Sequence, residues 1–313
     1  MYDKEKWSMG NIIRDLREEQ GITLSQLCYG LCSIPTMNRI EMDNRDIGIQ
    51  MANRIFQRLG YASDMFELYG SIEEVEQYEQ RIAIEKSVRN GDFESAETEL
   101  MKYKNKWKKW IEEDNLQNQF VKYMEGRIAI SKGNIEEGVE IIRKAIDLTF
   151  PMDQDNWSEK AVIGEDELIM LNSLADGYEL NGKRMEAKQI RRETLNYIEK
   201  NKNRKLNMIE IFTNVICKMV PIMLEEGAVK ECLDLCEQGL QVLSSDKRLY
   251  HYPELIYWKA MCLEKFYEDK VESDEVAETF KKAYYMYDLF GDHKMSEMIR
   301  IHMEEKYKWG CIR

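Results

Sequence analysis

The sequence GITLSQLCYGLCSIPTMNRIEMDNRDIGIQMANRIFQRL, residues 21–59, decides the fold of the N-terminal part of this chain. Thr23 is a favourable N-cap, and Gln26 three residues later completes a capping box, so a short helix is predicted to begin there. Ser33 is the N-cap expected for the next helix. Pro35 falls in the first turn of that helix, where the missing backbone N–H costs nothing.

Apolar residues recur at helical spacing through the same stretch. Met37 and Ile40 are expected to point inward from a helix over residues 33–42, and a closing helix follows and ends at Gly60. A short helix, a tight turn and a second helix form the arrangement that lays one helix into the major groove of DNA. We therefore interpret residues 33–42 as a candidate recognition helix.

The pattern T-L-S-Q-L…C-S-I-P-T-M-N-R-I-E…R…R-L-G resembles the lambda-repressor/Cro-like (XRE) family of bacterial DNA-binding domains. The resemblance implies an ion pair between Glu41, after the last core residue of the recognition helix, and Arg17 on the first helix. Two positions depart from the family pattern. Leu24 replaces a glutamine that often touches phosphate, and Asp43 replaces a glycine.

The resemblance also implies which polar residues face DNA. Asparagine can pair bidentately with adenine and arginine with guanine, whereas phosphate contacts set register only. The base-reading candidates are Ser33, Pro35, Asn38 and Arg39, and the phosphate-contacting candidates are Thr23, Thr36 and Arg45.

The charge of the N-terminal region argues against strong binding by one copy. The chain of 313 residues carries a formal charge of −13, and residues 1–70 contain eight Lys or Arg and ten Asp or Glu, a balance of −2. Affinity for phosphates rises with the number of basic contacts. We therefore expect a homodimer whose two copies bind DNA together.

Composition favours an all-helical chain outside the membrane. Only 4 prolines and 17 glycines interrupt it, and these residues punctuate strands and loops. No run of about 18 apolar residues occurs, and the charged N-terminus lacks the apolar segment of a signal peptide. A cytoplasmic location is expected.

The cysteines and histidines do not form a recognisable chemical motif. Seven cysteines without a secretory signal argue against a disulfide framework. Two pairs at i, i+4 spacing, Cys28/Cys32 and Cys232/Cys236, have no histidine nearby and are interpreted as core residues. The three histidines all lie in the last quarter of the chain. We therefore expect no enzyme activity, no cofactor and no metal site.

After residue 70 the chain repeats an apolar helix, a glycine turn and a second helix. The turn glycines are spaced by 42, 49 and 45 residues, and a small residue follows each of them by five positions. This is similar to the tetratricopeptide pattern, in which small residues let paired helices approach closely. The turn glycines are Gly91, Gly133, Gly182 and Gly227, and the small residues are Ala96, Gly138, Ala187 and Cys232.

The predicted fold is therefore all-α. A lambda-repressor-like helix-turn-helix domain, residues 1–70, precedes a tetratricopeptide-like α-solenoid of about five helix pairs, residues 71–313. The fifth pair is placed at 255–287, and residues 292–309 are expected to form a capping helix.

In such repeats the first helix of each pair lines a concave surface. Asparagine amides on these helices can hold the backbone of an extended peptide through paired hydrogen bonds. The candidate peptide-binding residues on this surface are Tyr123, Arg127, Asn172, Asn214 and Tyr257.

The whole architecture resembles the peptide-sensing regulators of the Rgg/PlcR/PrgX-type (RNPP) quorum-sensing family. The resemblance implies a homodimer whose repeats bind a short linear peptide and thereby change the geometry of two DNA-binding domains. The alternative is an interaction scaffold in which the repeats bind a protein partner and the helix-turn-helix is a docking module. Specific binding to a promoter distinguishes the two. A hydrolase is disfavoured because no serine or metal motif accompanies the histidines.

Overall fold

The computed structural model describes residues 8–61, 71–150, 162–201, 208–247, 249–267 and 274–307, and every regular element in these ranges is an α-helix. The chain divides into two compact units, Met1–Asn207 and Met208–Arg313. The predicted boundary at residue 70 falls on residues 62–70, which lie outside the described ranges. No helix within the described ranges is long and apolar enough to cross a membrane.

Residues 8–61, the described part of the N-terminal domain, contain four short helices, as predicted. They are α1 (Met9–Glu19), α2 (Leu24–Cys28), α3 (Ile34–Glu41) and α4 (Ile49–Arg58). Both predicted caps form, because the hydroxyl of Thr23 accepts from the backbone of Gln26 and that of Ser33 accepts from the backbone of Thr36. The apolar faces meet in one core that includes Ile13, Leu27, Met37, Ile55 and Leu59, all fully buried.

The remainder of the first unit consists of three helix pairs. They are α5 (Ile72–Arg89) with α6 (Phe93–Lys106), α8 (Asn115–Ser131) with α9 (Ile135–Asp147), and α10 (Glu165–Leu180) with α11 (Arg184–Lys200). A short helix, α7 (Lys108–Glu113), lies between the first two pairs. Residues 151–161, within the predicted long connection, lie outside the described ranges.

The second unit contains two further pairs and a last helix. The pairs are α12 (Ile209–Glu225) with α13 (Val229–Asp246) and α14 (Tyr252–Phe266) with α15 (Asp274–Leu289). The last helix is α16 (His293–Tyr307), at the position predicted for the capping helix. The all-α prediction, with a helix-turn-helix domain and five tetratricopeptide-like pairs, is confirmed.

Glycine residues account for the four turns between paired helices and for the close approach of α8 to α9. The four predicted turn glycines have φ values of 77°, 88°, 75° and 84°, a left-handed conformation that ends each first helix. Between α8 and α9, Gly126 and Gly138 face each other. A Cβ at Gly126 would lie 2.8 Å from the Gly138 carbonyl oxygen, so only small residues allow these two helices to approach so closely.

Candidate nucleic-acid interface and ligand cavity

The candidate recognition helix α3 presents the predicted polar residues outward. Met37 and Ile40 are buried, whereas Pro35, Asn38 and Arg39 are exposed. No described residue holds Arg39 in an ion pair, and the Asn38 amide has only a long 3.9 Å contact to a sulfur. Both side chains can therefore reorient toward a ligand.

Ser33, Thr36 and Arg45 are brought together at the start of α3. The Ser33 and Thr36 hydroxyls are 2.9 Å apart, and Arg45 Nη1 lies 3.5 Å from the Thr36 hydroxyl. Arg45 is exposed, so this group offers a positive charge beside two hydroxyls. Thr23 lies apart from the group, at the start of α2, where its hydroxyl is engaged with Ser25 and Gln26.

The ion pair implied by the family resemblance is present. Arg17 Nε and Nη2 donate to the two Glu41 carboxylate oxygens at 2.6 and 2.8 Å, and Nη1 donates to the Ile22 carbonyl at 3.1 Å. Hydrogen bonding to Glu41 raises the pKa of Arg17 and outweighs the effect of burial. This pair joins α1 to the end of α3 and fixes the orientation of this candidate recognition helix.

The two departures from the family pattern have structural explanations. Asp43 adopts the left-handed conformation with φ 56°, and its carboxylate accepts a 3.1 Å hydrogen bond from the Gly10 backbone at the start of α1. Aspartate adopts this conformation less readily than glycine, but its carboxylate caps the start of α1, which glycine cannot do. Leu24 is half-buried and packs against the domain core, so it adds apolar contact where the family has a phosphate ligand.

The N-terminal domain is joined to the repeats through a fully buried arginine. Arg58 donates to the carbonyls of Leu27 and Tyr29 within the domain, both at 2.8 Å. It also donates to the Thr149 carbonyl at 2.8 Å and to both Glu167 carboxylate oxygens at 2.6 and 3.4 Å. These bonds engage all five N–H groups of the guanidinium.

A second arginine extends this network. Arg54 Nη1 donates to Gln119 at 2.9 Å and lies 3.3 Å from Glu167, while Nη2 donates to Asp166 at 3.1 Å. The Gln119 amide in turn donates to the Thr149 hydroxyl at 2.6 Å. We call Arg54, Arg58, Gln119, Thr149 and Glu167 the α4 joint. Leu116 and Val162 of the repeats also belong to the core of the N-terminal domain, so apolar packing reinforces the joint.

The α4 joint opens onto a cavity of about 170 Å³. Its walls are the first helices of three consecutive pairs, α5, α8 and α10, and Arg54 contributes from α4. Burial raises the pKa of Glu85 there, although the charge of Arg81 opposes the rise. The charged residues lining the cavity are Arg54, Arg81, Arg89, Arg127, Glu85 and Asp166, so positive charge prevails.

Two guanidinium N–H positions at this cavity lack a hydrogen-bond partner among the described residues. They are Arg54 Nε and Arg81 Nη1, and both atoms are buried. Arg81 also lies 4.3 Å above the ring of Phe120. A buried donor without an acceptor lowers the stability of the fold, so each of these atoms is a candidate position for an acceptor from outside the chain.

The structure brings two of the predicted peptide-binding residues to this cavity. Tyr123 and Arg127 line it, and Arg127 Nη1 donates to the Tyr123 hydroxyl at 3.1 Å. The Tyr123 hydroxyl lies 2.8 Å from the Ser173 hydroxyl on α10. Asn172, the neighbour of Ser173, is half-buried and does not line the cavity.

The other two predicted residues belong to the second unit. The Asn214 amide nitrogen lies 3.4 Å from His251 Nε2. Tyr257 packs edge-on against Phe280, with ring centroids 6.3 Å apart, and burial raises the pKa of its hydroxyl. Both side chains are half-buried.

A larger groove of about 550 Å³ lies between α6, α8 and α9. Its lysines are already neutralised, since Lys104 pairs with Glu125 and Lys132 pairs with Glu97. The smaller cavity is the better candidate for a ligand site because two buried donors at it, Arg54 Nε and Arg81 Nη1, have no acceptor among the described residues.

The sequence alone did not single out Arg54 and Arg58 as candidate functional residues. Arg54 and Arg58 share a face of α4 at i, i+4, but the sequence presents them only as two basic residues of a candidate DNA-binding domain. Their partner Glu167 lies 109 positions from Arg58. No local pattern connects residues so distant along the chain.

Comparison with known proteins agrees with this architecture. The structure of Bacillus thuringiensis PlcR in complex with the peptide PapR7 and DNA covers 94% of this chain and 99% of its own, with 17% identity and a TM-score of 0.53. Its apo form covers 93% and 97%, with 14% identity and a TM-score of 0.54. At these identities the likeness concerns the fold.

A search of curated protein sequences gives no match. The sequence profile of the RNPP family C-terminal domain, however, matches residues 84–309, which is most of the chain. RNPP proteins are peptide-sensing transcription regulators rather than enzymes. With an XRE-type helix-turn-helix domain in front of tetratricopeptide-like repeats, this chain belongs to the RNPP family.

Proposed function

We propose that this protein is a DNA-binding transcription regulator whose repeats bind a short peptide with an acidic group. Residues 1–70 read an operator as part of a homodimer, and residues 71–313 bind the peptide and join the two copies. The observation that carries the proposal is that one residue, Arg54, belongs both to the α4 joint and to the wall of the cavity.

The exposed face of α3 supports the DNA-binding part. Asn38 and Arg39 are exposed at adjacent positions, and Arg45 lies beside the hydroxyls of Ser33 and Thr36. Asn38 and Arg39 have the hydrogen-bonding groups that read adenine and guanine edges. Arg45, with Thr23 and Thr36, would contact phosphates, and Ser33 and Pro35 would contact base edges.

The distribution of basic residues supports the homodimer. Arg17, Arg54 and Arg58 are engaged in ion pairs with carboxylates. Arg14 lies 4.0 Å from the Asp15 carboxylate, so among the described basic residues of the N-terminal domain only Arg39 and Arg45 have no ion pair and are left to attract phosphate. A single copy would therefore bind DNA weakly, and two linked copies would bind far more tightly because the second contact becomes intramolecular.

The cavity supports a peptide with an acidic group. The unpaired donors of Arg54 and Arg81 fit a carboxylate, and the ring of Tyr123 in the same cavity wall suits an apolar side chain of an extended peptide. Either the C-terminal carboxylate or an Asp or Glu side chain could supply this group. Asn172 in the first unit, and Asn214 and Tyr257 in the second, remain predicted peptide contacts outside this cavity.

Arg54 also explains how ligand binding could change DNA binding. A carboxylate bound at Arg54 competes with Asp166 and Glu167 for the same guanidinium and thereby changes the stability of the α4 joint. A ligand shifts such an equilibrium only through different affinities for the two states. Direct contact between the ligand and one residue of the joint creates that difference.

The decisive test is fluorescence anisotropy with a labelled duplex from the region upstream of the gene. The wild-type protein is expected to form a discrete dimeric complex, and the double variant Asn38→Ala/Arg39→Ala should lose it. Lys109→Ala, which removes an exposed positive charge from α7, is the matched control and should bind like wild type. Absence of a specific complex would overturn the proposal and favour the interaction scaffold.

The peptide is tested with synthetic heptapeptides that cover short open reading frames beside the gene. One peptide should bind wild-type protein and change its DNA affinity, and Arg81→Ala should weaken binding. C-terminal amidation and Asp/Glu→Asn/Gln substitution in the peptide distinguish the two sources of the carboxylate. Equal binding to Arg81→Ala and wild type would contradict the assigned cavity.

A further inference from the structure

Three different metal-binding groups meet in the second unit, apart from the cavity described above. They are the Cys217 thiol on α12, the ring of His251 just before α14, and the Glu254 carboxylate in the first turn of α14. One ligand atom of each lies within 4.8 Å of the other two. No other group of this kind occurs within the described part of the chain.

We propose that Cys217, His251 and Glu254 bind a divalent transition-metal ion of the zinc class. Sulfur, imidazole nitrogen and carboxylate oxygen together suit Zn²⁺, whereas calcium and magnesium select oxygen alone. Three protein ligands leave the fourth tetrahedral position for water or for a further donor. As the ion binds, the Cys217 thiol releases its proton to solvent.

The separation between His251 and Glu254 fits one shared ion. His251 Nδ1 and Glu254 Oε2 are 3.5 Å apart, which is long for a hydrogen bond. Two ligands held at roughly 2.1 Å from one tetrahedral ion lie ~3.4 Å apart. Because the three ligand atoms lie within 4.8 Å of one another, a movement of about 1 Å in the Cys217 side chain would complete the coordination.

The surroundings of the three residues let an ion reach them from solvent and hold the His251 ring in place. Cys217 is buried, but the side chains of His251 and Glu254 are 22% and 40% exposed, so an ion can enter from solvent. The Asn214 amide lies 3.4 Å from His251 Nε2, on the side of the ring opposite to Nδ1. With Nδ1 on the ion, Nε2 carries the ring proton, so the Asn214 amide would turn its oxygen toward Nε2 and accept the hydrogen bond that holds a metal-binding histidine in position.

The backbone at His251 adds an independent observation. This residue has φ 57°, a left-handed conformation that histidine adopts more often than most residues other than glycine, asparagine and aspartate. The conformation fixes where the side chain leaves the backbone just before α14. Here it places the ring between α12 and α14, in contact with residues of both helices.

This proposal departs from the sequence-based expectation of no metal site. Cys217 lies far from His251 along the chain, without the short spacings by which metal motifs are recognised. The proposal is also independent of peptide binding, although Asn214 would be ordered by the same ion.

The test uses the full chain, stripped with a chelator and titrated with Co²⁺. Binding should produce the visible bands of tetrahedral Co²⁺ and a thiolate-to-metal charge-transfer band in the near ultraviolet. Zn²⁺ should displace Co²⁺ and abolish both signals, at one ion per chain.

The Co²⁺ spectra of single-residue variants show which residues bind the ion. Cys217→Ser should remove the charge-transfer band, and His251→Gln should weaken Co²⁺ binding by more than about 10-fold. His293→Gln, at a histidine that is 79% exposed, is the matched control. Cys262→Ser tests the buried thiols of Cys232, Cys236 and Cys262 and should leave both bands intact.

Two results would overturn the proposal. One is a chain with native helical circular dichroism that gives no charge-transfer band with Co²⁺. The other is a band that survives Cys217→Ser and disappears in Cys262→Ser. If Cys217→Ser does not fold, Asn214→Ala replaces it, and affinity unchanged from wild type then counts against the proposal.

Discussion

Arg58 on α4 and Glu167 on α10 form an ion pair in which Nη2 and Oε1 lie 2.6 Å apart and each side chain is 1% exposed. A charge in such a position is stable only while its partner remains. Arg58 belongs to the N-terminal domain and Glu167 belongs to the repeats. The pair therefore holds the candidate DNA-binding domain in a defined position against the repeats.

Removing Arg58 should therefore be strongly destabilising. In Arg58→Met, Glu167 keeps a buried charge, and the carbonyls of Leu27, Tyr29 and Thr149 lose a donor. The expected loss is about 3–5 kcal/mol in the free energy of unfolding, measured by urea denaturation. The double variant Arg58→Met/Glu167→Leu should lose less than the sum of the two single changes, because no unpaired charge remains.

Arg39→Met provides the comparison for this measurement. Arg39 is exposed on α3, so its replacement should change the free energy of unfolding by less than about 0.5 kcal/mol. Equal losses for Arg39→Met and Arg58→Met would show that the α4 joint does not contribute to stability.

Acid should weaken the same joint. Burial alone would raise the pKa of Glu167, but the charges of Arg58 and Arg54 and hydrogen bonds from Arg58 and Gly164 outweigh it, so the pKa lies below its usual value of 4.5. The stabilisation is therefore complete above about pH 4.5 and is lost as the pH falls through the lower folded-state value. Urea midpoints measured between pH 7 and pH 3 should fall less steeply in Glu167→Gln than in wild type.

Asp43 should be more tolerant of glycine than of alanine. Asp43→Ala loses the hydrogen bond to Gly10 and keeps a Cβ in the left-handed conformation, at a cost of about 1–2 kcal/mol. Asp43→Gly loses the same bond but relieves the backbone, so its thermal midpoint should lie between those of wild type and Asp43→Ala. A lower midpoint for the glycine variant would contradict this explanation.

Local physical chemistry made much of the fold predictable. The caps at Thr23 and Ser33 and the turns at Gly91 and Gly133 depend on residues within a few positions of each other, and the structure confirms them. The pair between Arg17 and Glu41, 24 positions apart, required the family resemblance in addition.

The candidate sites were less predictable because they depend on tertiary contacts. Helical spacing placed Tyr123 and Arg127 on the ligand-facing surface, and both line the cavity. The spacing could not show that Arg81 Nη1 is buried without an acceptor, since this depends on three helices at once. The same limit applies to Arg58, whose partners lie on segments far away in sequence.

Salt dependence should separate the proposed roles of Arg39 and Arg45 in DNA binding. A phosphate contact releases a counterion, so Arg45→Ala should reduce the slope of log K against log salt by about 1 and weaken binding to all sequences similarly. Arg39→Ala should instead cost about 1–3 kcal/mol on the specific operator and discriminate less between operator variants, because a base contact carries sequence information.

Fluorescence anisotropy at several salt concentrations measures both quantities, with Lys109→Ala as the control for a lost surface charge. The assignment depends on the contrast between the two variants. Arg39 projects from α3 without an ion pair to any described residue, whereas Arg45 lies 3.5 Å from the Thr36 hydroxyl at the start of the helix. If Arg39→Ala lowered the affinity equally for operator and random DNA, Arg39 would be a phosphate contact, and base reading would pass to Asn38 and Ser33.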